Sequence, residues 1–108
     1  MKVDIEKLHT PKYGRRSGKT VEAICDAIGK IFVTENKVIP FVVREINWMD
    51  HIKPMFRDIC IDHFNEQPIL KDQRTLMIKG YTSKIVFFSF DRWWQDGRGY
   101  DIQPTYDL

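Results

Sequence analysis

Long apolar runs are missing from this chain of 108 residues. The longest, such as Ile85–Phe88, fall far short of the roughly 20 residues that a membrane-spanning helix needs. Neither a transmembrane segment nor a secretory leader is therefore expected. Cysteine is scarce: Cys25 and Cys60 sit in apolar, helix-like surroundings, and no CxxC or metal-ligand spacing joins them. They read as buried thiols of a cytoplasmic protein. His9, His51 and His63 are far apart, which argues against a zinc site. No repeat, Gly/Ser linker or low-complexity segment breaks the chain, so a single domain is expected over residues 1–108. Charge of one sign is not in large excess either, with 17 basic against 15 acidic side chains. The placement is uneven, however. Residues 1–20 carry six basic and two acidic side chains, whereas 91–108 carry Asp91, Asp96, Asp101 and Asp107 against Arg92 and Arg98. An anion-binding site near the N-terminus is compatible with that asymmetry, as is a solvated basic arm.

Two helices stand out by period. Val21, Ile24, Ile28, Ile31 and Phe32 recur at helical spacing and predict a helix over about Lys19–Val33 with one buried stripe. Ile52, Phe56, Ile59, Cys60 and Phe64 predict a second helix, capped by Asn47 or Asp50, with Pro54 in its first turn. Between them Val38–Val43 is a continuous apolar run, the pattern of a strand buried on both faces, although Pro40 favours an edge or end. Thr75–Lys79 and Lys84–Phe90, joined by Gly80–Ser83, predict a β-hairpin. Residues 91–108, with Gly97, Gly99 and Pro104, read as an irregular tail beside an ordered core over 14–90. The fold class expected is α/β, with a small sheet of three to four strands and two main helices.

The strongest chemical signal is Gly14-Arg15-Arg16-Ser17-Gly18-Lys19-Thr20 at the start of the first helix. A phosphate-binding loop needs a glycine where the backbone turns tightly and free amides at a helix N-terminus. It also needs a lysine for the β- and γ-phosphates and a hydroxyl for Mg²⁺. Gly18, the helix start, Lys19 and Thr20 meet those needs in order. Relative to G-x-x-x-x-G-K-[ST], the first glycine stands at 14, and Tyr13 holds the expected position.

Gly14–Thr20, an amphipathic helix, Phe41-Val42-Val43-Arg44, a second amphipathic helix, and Ser83–Phe88 followed by Gly97-Arg98-Gly99-Tyr100 together resemble the start of the ATPase domain of phage terminase large subunits, the DNA-packaging motors of tailed bacteriophages. The resemblance spans about residues 14–106. It implies an incomplete P-loop NTPase domain in which Lys19 takes the phosphate position, Thr20 the Mg²⁺ position and Arg15 the arginine after the first glycines. ATP and Mg²⁺ are the implied cofactors. A strand ending in consecutive acidic residues, which would hold the metal and orient water, finds no match up to Leu108. The expectation is therefore binding of ATP or polyphosphate without self-sufficient hydrolysis, and no catalytic residue is assigned.

Other readings stay open at this point. Arg92, Trp93, Trp94 and Arg98, amid dense aromatics, form a candidate partner surface, as expected of a small phage-encoded protein that inhibits or redirects another protein. Lys12, Arg15, Arg16 and Lys19 suit a DNA-binding module. An incomplete sheet would leave an open edge at Val38–Val43, suited to self-association. Asp58 and Asp62, one helical turn apart, read as a solvated face rather than an acid/base pair.

Overall fold

The computed structural model describes residues 17–97 and 99–108. Helix α1 runs over Ser17–Val33, strand β1 over Val38–Val43, a 3₁₀ turn over Ile46–Trp48 and helix α2 over Met49–Asp62. Strands β2 (Pro68–Asp72), β3 (Thr75–Ile78) and β4 (Lys84–Ser89) follow, then helix α3 (Phe90–Asp96) and strand β5 (Thr105–Asp107). Among the described residues the sheet has five strands in the order β2-β3-β4-β1-β5. β1 runs parallel to both β4 and β5, while β3 pairs antiparallel with β2 and β4. Among the described residues the fold is α/β as expected, but with five strands rather than three to four, and the two main helices are joined by a third of seven residues.

The register sorts the side chains into two layers. Ile39, Phe41 and Val43 of β1 lie beside Ile85, Phe87 and Ser89 of β4. The apolar members of that set join Ile24, Ile28 and Ile31 of α1 and Ile52, Phe56 and Ile59 of α2 in one core cluster. Phe41, Phe56 and Phe87 meet edge to face, with centroids 5.2–5.5 Å apart. On the opposite face Phe88 packs against Trp93 of α3 and Tyr100.

Several local expectations change. β1 is buried as predicted but is flanked by β4 and β5, so its edge is not the open one. Pro40 is tolerated because β5 pairs only with Phe41–Val43, leaving Pro40 a single neighbouring strand where a missing donor matters less. The hairpin forms, with Leu76 opposite Ile85, and Gly80 takes a left-handed φ of 91° in the turn, a conformation that only glycine adopts freely. α2 has no side-chain cap from Asn47 or Asp50, because the 3₁₀ turn leads straight into it through Trp48. Pro54 is the sixth residue of α2 and lies inside the helix, not in its first turn. Where the sequence reads as an irregular tail, α3 and β5 form. Ser89 caps α3 by accepting a hydrogen bond from the Arg92 amide at 3.4 Å, and Gly97 ends it.

Both cysteines are free thiols; Cys60 is buried and Cys25 half-buried. Burial first, then the Glu22 carboxylate, pushes the Cys25 thiol from an ordinary value of 9.0 to about 11. Burial, then Glu66 and Cys25, pushes Cys60 to about 12. Burial thus favours the neutral thiol, and the unfolded chain ionises first. The stability this represents is fully present below pH 9 and is lost as the pH rises towards 11 and 12. Urea midpoints of the parent are expected to fall between pH 8.5 and 10.5, and a Cys60→Ala chain should show a smaller fall over the same interval. Equal slopes in the two chains would remove Cys60 from this account.

Among the described residues, no helix is long and apolar enough to cross a membrane.

Candidate functional site

α1 begins at Ser17, two residues before the predicted start, so Ser17, Gly18, Lys19 and Thr20 form its first turn. Gly14, Arg15 and Arg16 lie outside the described residues, as does Arg98 of the candidate partner surface. Gly18 is helical and half-buried, not the tight turn that the loop pattern assigns to it. The first amides of a helix have no intrahelical acceptor and carry its positive end. No acidic side chain belongs to this first turn of α1; the carboxylate that approaches it comes from Asp107 of β5. Lys19 is exposed and Thr20 is buried, as their adjacent positions on a half-packed helix require.

Thr20 turns towards the sheet and meets Asp107. Its hydroxyl lies 3.1 Å from Oδ1 and 3.2 Å from Oδ2 of that carboxylate. The indole N–H of Trp48 donates to Oδ2 from 3.3 Å, and the Trp48 ring leans on His51 with centroids 5.0 Å apart. The topology explains the meeting: Val43, the last residue of β1, stands in register with Asp107, and the 3₁₀ turn after β1 carries Trp48 back over it. The site therefore lies at the carboxyl ends of β1 and β5 and the amino end of α1. In open α/β sheets this is where ligands are received. A groove of about 530 Å³ runs here, lined by Lys19, Glu22, Asp26, Thr105 and Asp107 among others.

β5 has only three residues, too few to hold its place by ladder hydrogen bonds alone, and α1 clamps it. Lys30 Nζ donates to the Gln103 carbonyl at 3.0 Å and to Thr105 Oγ1 at 2.9 Å, and pairs with Asp26 at 3.0 Å. The Thr105 hydroxyl in turn donates to Asp26 at 2.7 Å. A Thr105→Val chain keeps the shape and loses two polar contacts. It is expected to be about 1 kcal/mol less stable, with amide exchange at Tyr106 and Asp107 accelerating ahead of the rest of the sheet. Unchanged exchange at those two amides would show that the clamp does not hold β5.

Thr20 and Asp107 offer a hydroxyl and a carboxylate, hard oxygen donors of the kind Mg²⁺ accepts, and Mg²⁺ is commonly bound by one or two protein oxygens together with substrate phosphates. The donor set fits that ion. Among the described residues no group of three or more His, Cys, Asp or Glu side chains is placed to hold a metal by itself.

Of the candidate partner surface, Arg92 is exposed on α3, Trp94 is exposed and Trp93 is half-buried. Trp93 and Trp94 come together with Phe90, Gly97 and Tyr106 around a second cavity of about 240 Å³. No sequence motif marks Asp107 or Trp48. In the sequence Asp107 reads only as one charge of an acidic tail, and its one signal is its position beside β-favouring Thr105 and Tyr106. Trp48 carries no local signal of its role. In comparison with known proteins, the chain matches no family model, no curated protein and no solved structure.

Proposed function

We propose that this domain binds a polyphosphate, with ATP and Mg²⁺ as its natural form, at the start of α1, as the P-loop portion of a terminase-like ATPase domain would. The observation that carries this reading is the contact between Thr20 and Asp107 across 87 positions of sequence. In P-loop NTPases the hydroxyl after Gly-Lys and an aspartate from a neighbouring strand hold the same ion. Here a hydroxyl and a carboxylate of that kind meet at the positive end of a helix, beside an exposed lysine and an open groove.

Each group has a part. The amides of the first turn donate to phosphate oxygens, and Lys19 adds a mobile positive charge beside them. Thr20 directs its one proton at Asp107, which leaves its lone pairs for a cation. Thr20 and Asp107 would hold Mg²⁺, which when bound neutralises charge on the β- and γ-phosphate oxygens. Asp107 is followed by Leu108 rather than by a second acid, so the reading is one of binding without self-sufficient hydrolysis.

Calorimetric titration of the full chain with ATP, with and without Mg²⁺, tests it. Heat that requires Mg²⁺, with an affinity at least tenfold weaker in a Lys19→Ala chain, is the expected result. No heat in the parent, or equal heat in both chains, would remove the proposal.

A further inference from the structure

The cavity beside α3 is built from one helix face. Phe90, Trp93, Trp94 and Gly97 follow the i, i+3, i+4, i+7 spacing that brings side chains onto a single side, and Tyr106 of β5 forms the facing wall. Phe90 and Trp94 meet edge to face at 5.9 Å. The Trp93 indole N–H donates to the Tyr106 hydroxyl at 3.2 Å. Trp93 is held by Phe88 and Tyr100, but core packing does not account for Trp94, 70 % exposed, or Tyr106, 49 % exposed. With its oxygen accepting from Trp93, Tyr106 keeps its own O–H proton, one polar group directed from an otherwise aromatic wall.

The position of Tyr106 gives the cavity its meaning. Along β5 the side chains alternate, so Thr105 and Asp107 face α1 while Tyr106 faces α3. Among the described residues β5 pairs only with β1 and forms the end of the sheet. Tyr106 also borders the groove lined by Lys19, Glu22, Asp26, Thr105 and Asp107, whose Lys19 end lies at the first turn of α1, so the polar groove and the aromatic cavity share it as a common wall. A ligand held by its phosphates at the first turn of α1, at the Lys19 end of the groove, and crossing the outer edge of β5 enters a space lined by aromatic faces. Flat heteroaromatic rings are the chemistry such faces bind, because every base presents a π-surface for stacking.

We propose that the Phe90, Trp93, Trp94 and Tyr106 cavity is the base subsite of this domain and takes the nucleobase of the nucleotide whose phosphates lie at Lys19 and Thr20. This assignment rests on the phosphate-site reading above. It makes the ligand a nucleotide rather than any polyphosphate, and it gives the adjacent tryptophans a role that the phosphate site leaves unassigned.

The test compares ATP with inorganic tripolyphosphate, both with Mg²⁺, on the full chain and on Trp94→Ala and Tyr106→Leu. The expected result is that the parent binds ATP about tenfold or more tightly than tripolyphosphate, the scale of one stacked base. Trp94→Ala, a change at an exposed position, should bring ATP down to the level of tripolyphosphate and leave tripolyphosphate where it was. Tyr106→Leu, which keeps an apolar wall but removes ring and hydroxyl, should also shrink the preference. Equal affinity for the two ligands in the parent overturns the base subsite while leaving the phosphate site standing. A preference for ATP that survives in both variants overturns it as well. Binding of neither ligand overturns the phosphate site and the base subsite together.

Discussion

A Lys19→Ala chain is expected to bind ATP with Mg²⁺ at least tenfold more weakly than the parent while unfolding at the same temperature. Lys19 is exposed on the first turn of α1, so its removal leaves no buried group unpaired, and surface changes of this sort shift stability by no more than about 0.5 kcal/mol. In the ligand complex the ammonium supplies a charge-assisted hydrogen bond to phosphate, worth roughly 1.5–3 kcal/mol. At 1.4 kcal/mol per factor of ten this is about 10- to 150-fold in affinity. Asp107→Ala also weakens the Mg²⁺-dependent binding, but it strands the hydroxyl of buried Thr20 and so mixes a binding loss with a folding loss of about 1–3 kcal/mol. Lys19 is the cleaner probe for that reason. Calorimetric affinity together with thermal unfolding of both chains decides the matter, and undiminished affinity in Lys19→Ala would sink it.

Phe56→Ala is expected to cost about 3–5 kcal/mol through lost burial and the cavity left behind. Phe56 is fully buried, and it forms two sides of the Phe41–Phe56–Phe87 triangle. Edge-to-face pairs add about 0.5–1.5 kcal/mol each beyond area, which places this substitution at the upper end of the range. Domains of this size have about 5–15 kcal/mol in total, so a large share of the stability rests on one ring joining α2 to the sheet. Urea unfolding checks it. A loss below 1 kcal/mol would show that α2 repacks around the gap. Phe56→Leu, which keeps most of the volume, should be milder in the same experiment.

Of the residues gathered at the amino end of α1 and the end of β5, only those of α1 are legible in the sequence. Lys19 and Thr20 were readable because glycine, lysine and hydroxyl at fixed offsets before an amphipathic stripe carry a mechanism of their own. Asp107 was not readable, because a strand of three residues has no period to detect and its neighbours Gly97, Gly99 and Pro104 argue for a loop. β2 escaped for a related reason: four of its five side chains are exposed, so no buried alternation marks it. Pro40 pointed to an edge, yet β1 is central. The conflict dissolves only when β5 is seen to begin its pairing one residue later, at Phe41. The helical spacing puts Pro54 in a first turn, but the start of α2 depends on the 3₁₀ turn that leads into it, a tertiary accommodation that residue preference does not encode.

What the amino-acid sequence determined by itself is local and periodic: the apolar stripes of α1 and α2, the twice-buried β1, the β3–β4 hairpin, and a lysine and threonine at the head of a helix. These follow from side-chain spacing and turn chemistry within a few residues. Only the tertiary structure decided that β5 lies beside β1, that Asp107 meets Thr20, and that Tyr106 faces the tryptophans of α3. Those contacts join residues 13 to 87 positions apart, and they form because the Lys30, Asp26 and Thr105 clamp and the register with Val43 hold a short strand that its own residues could not specify.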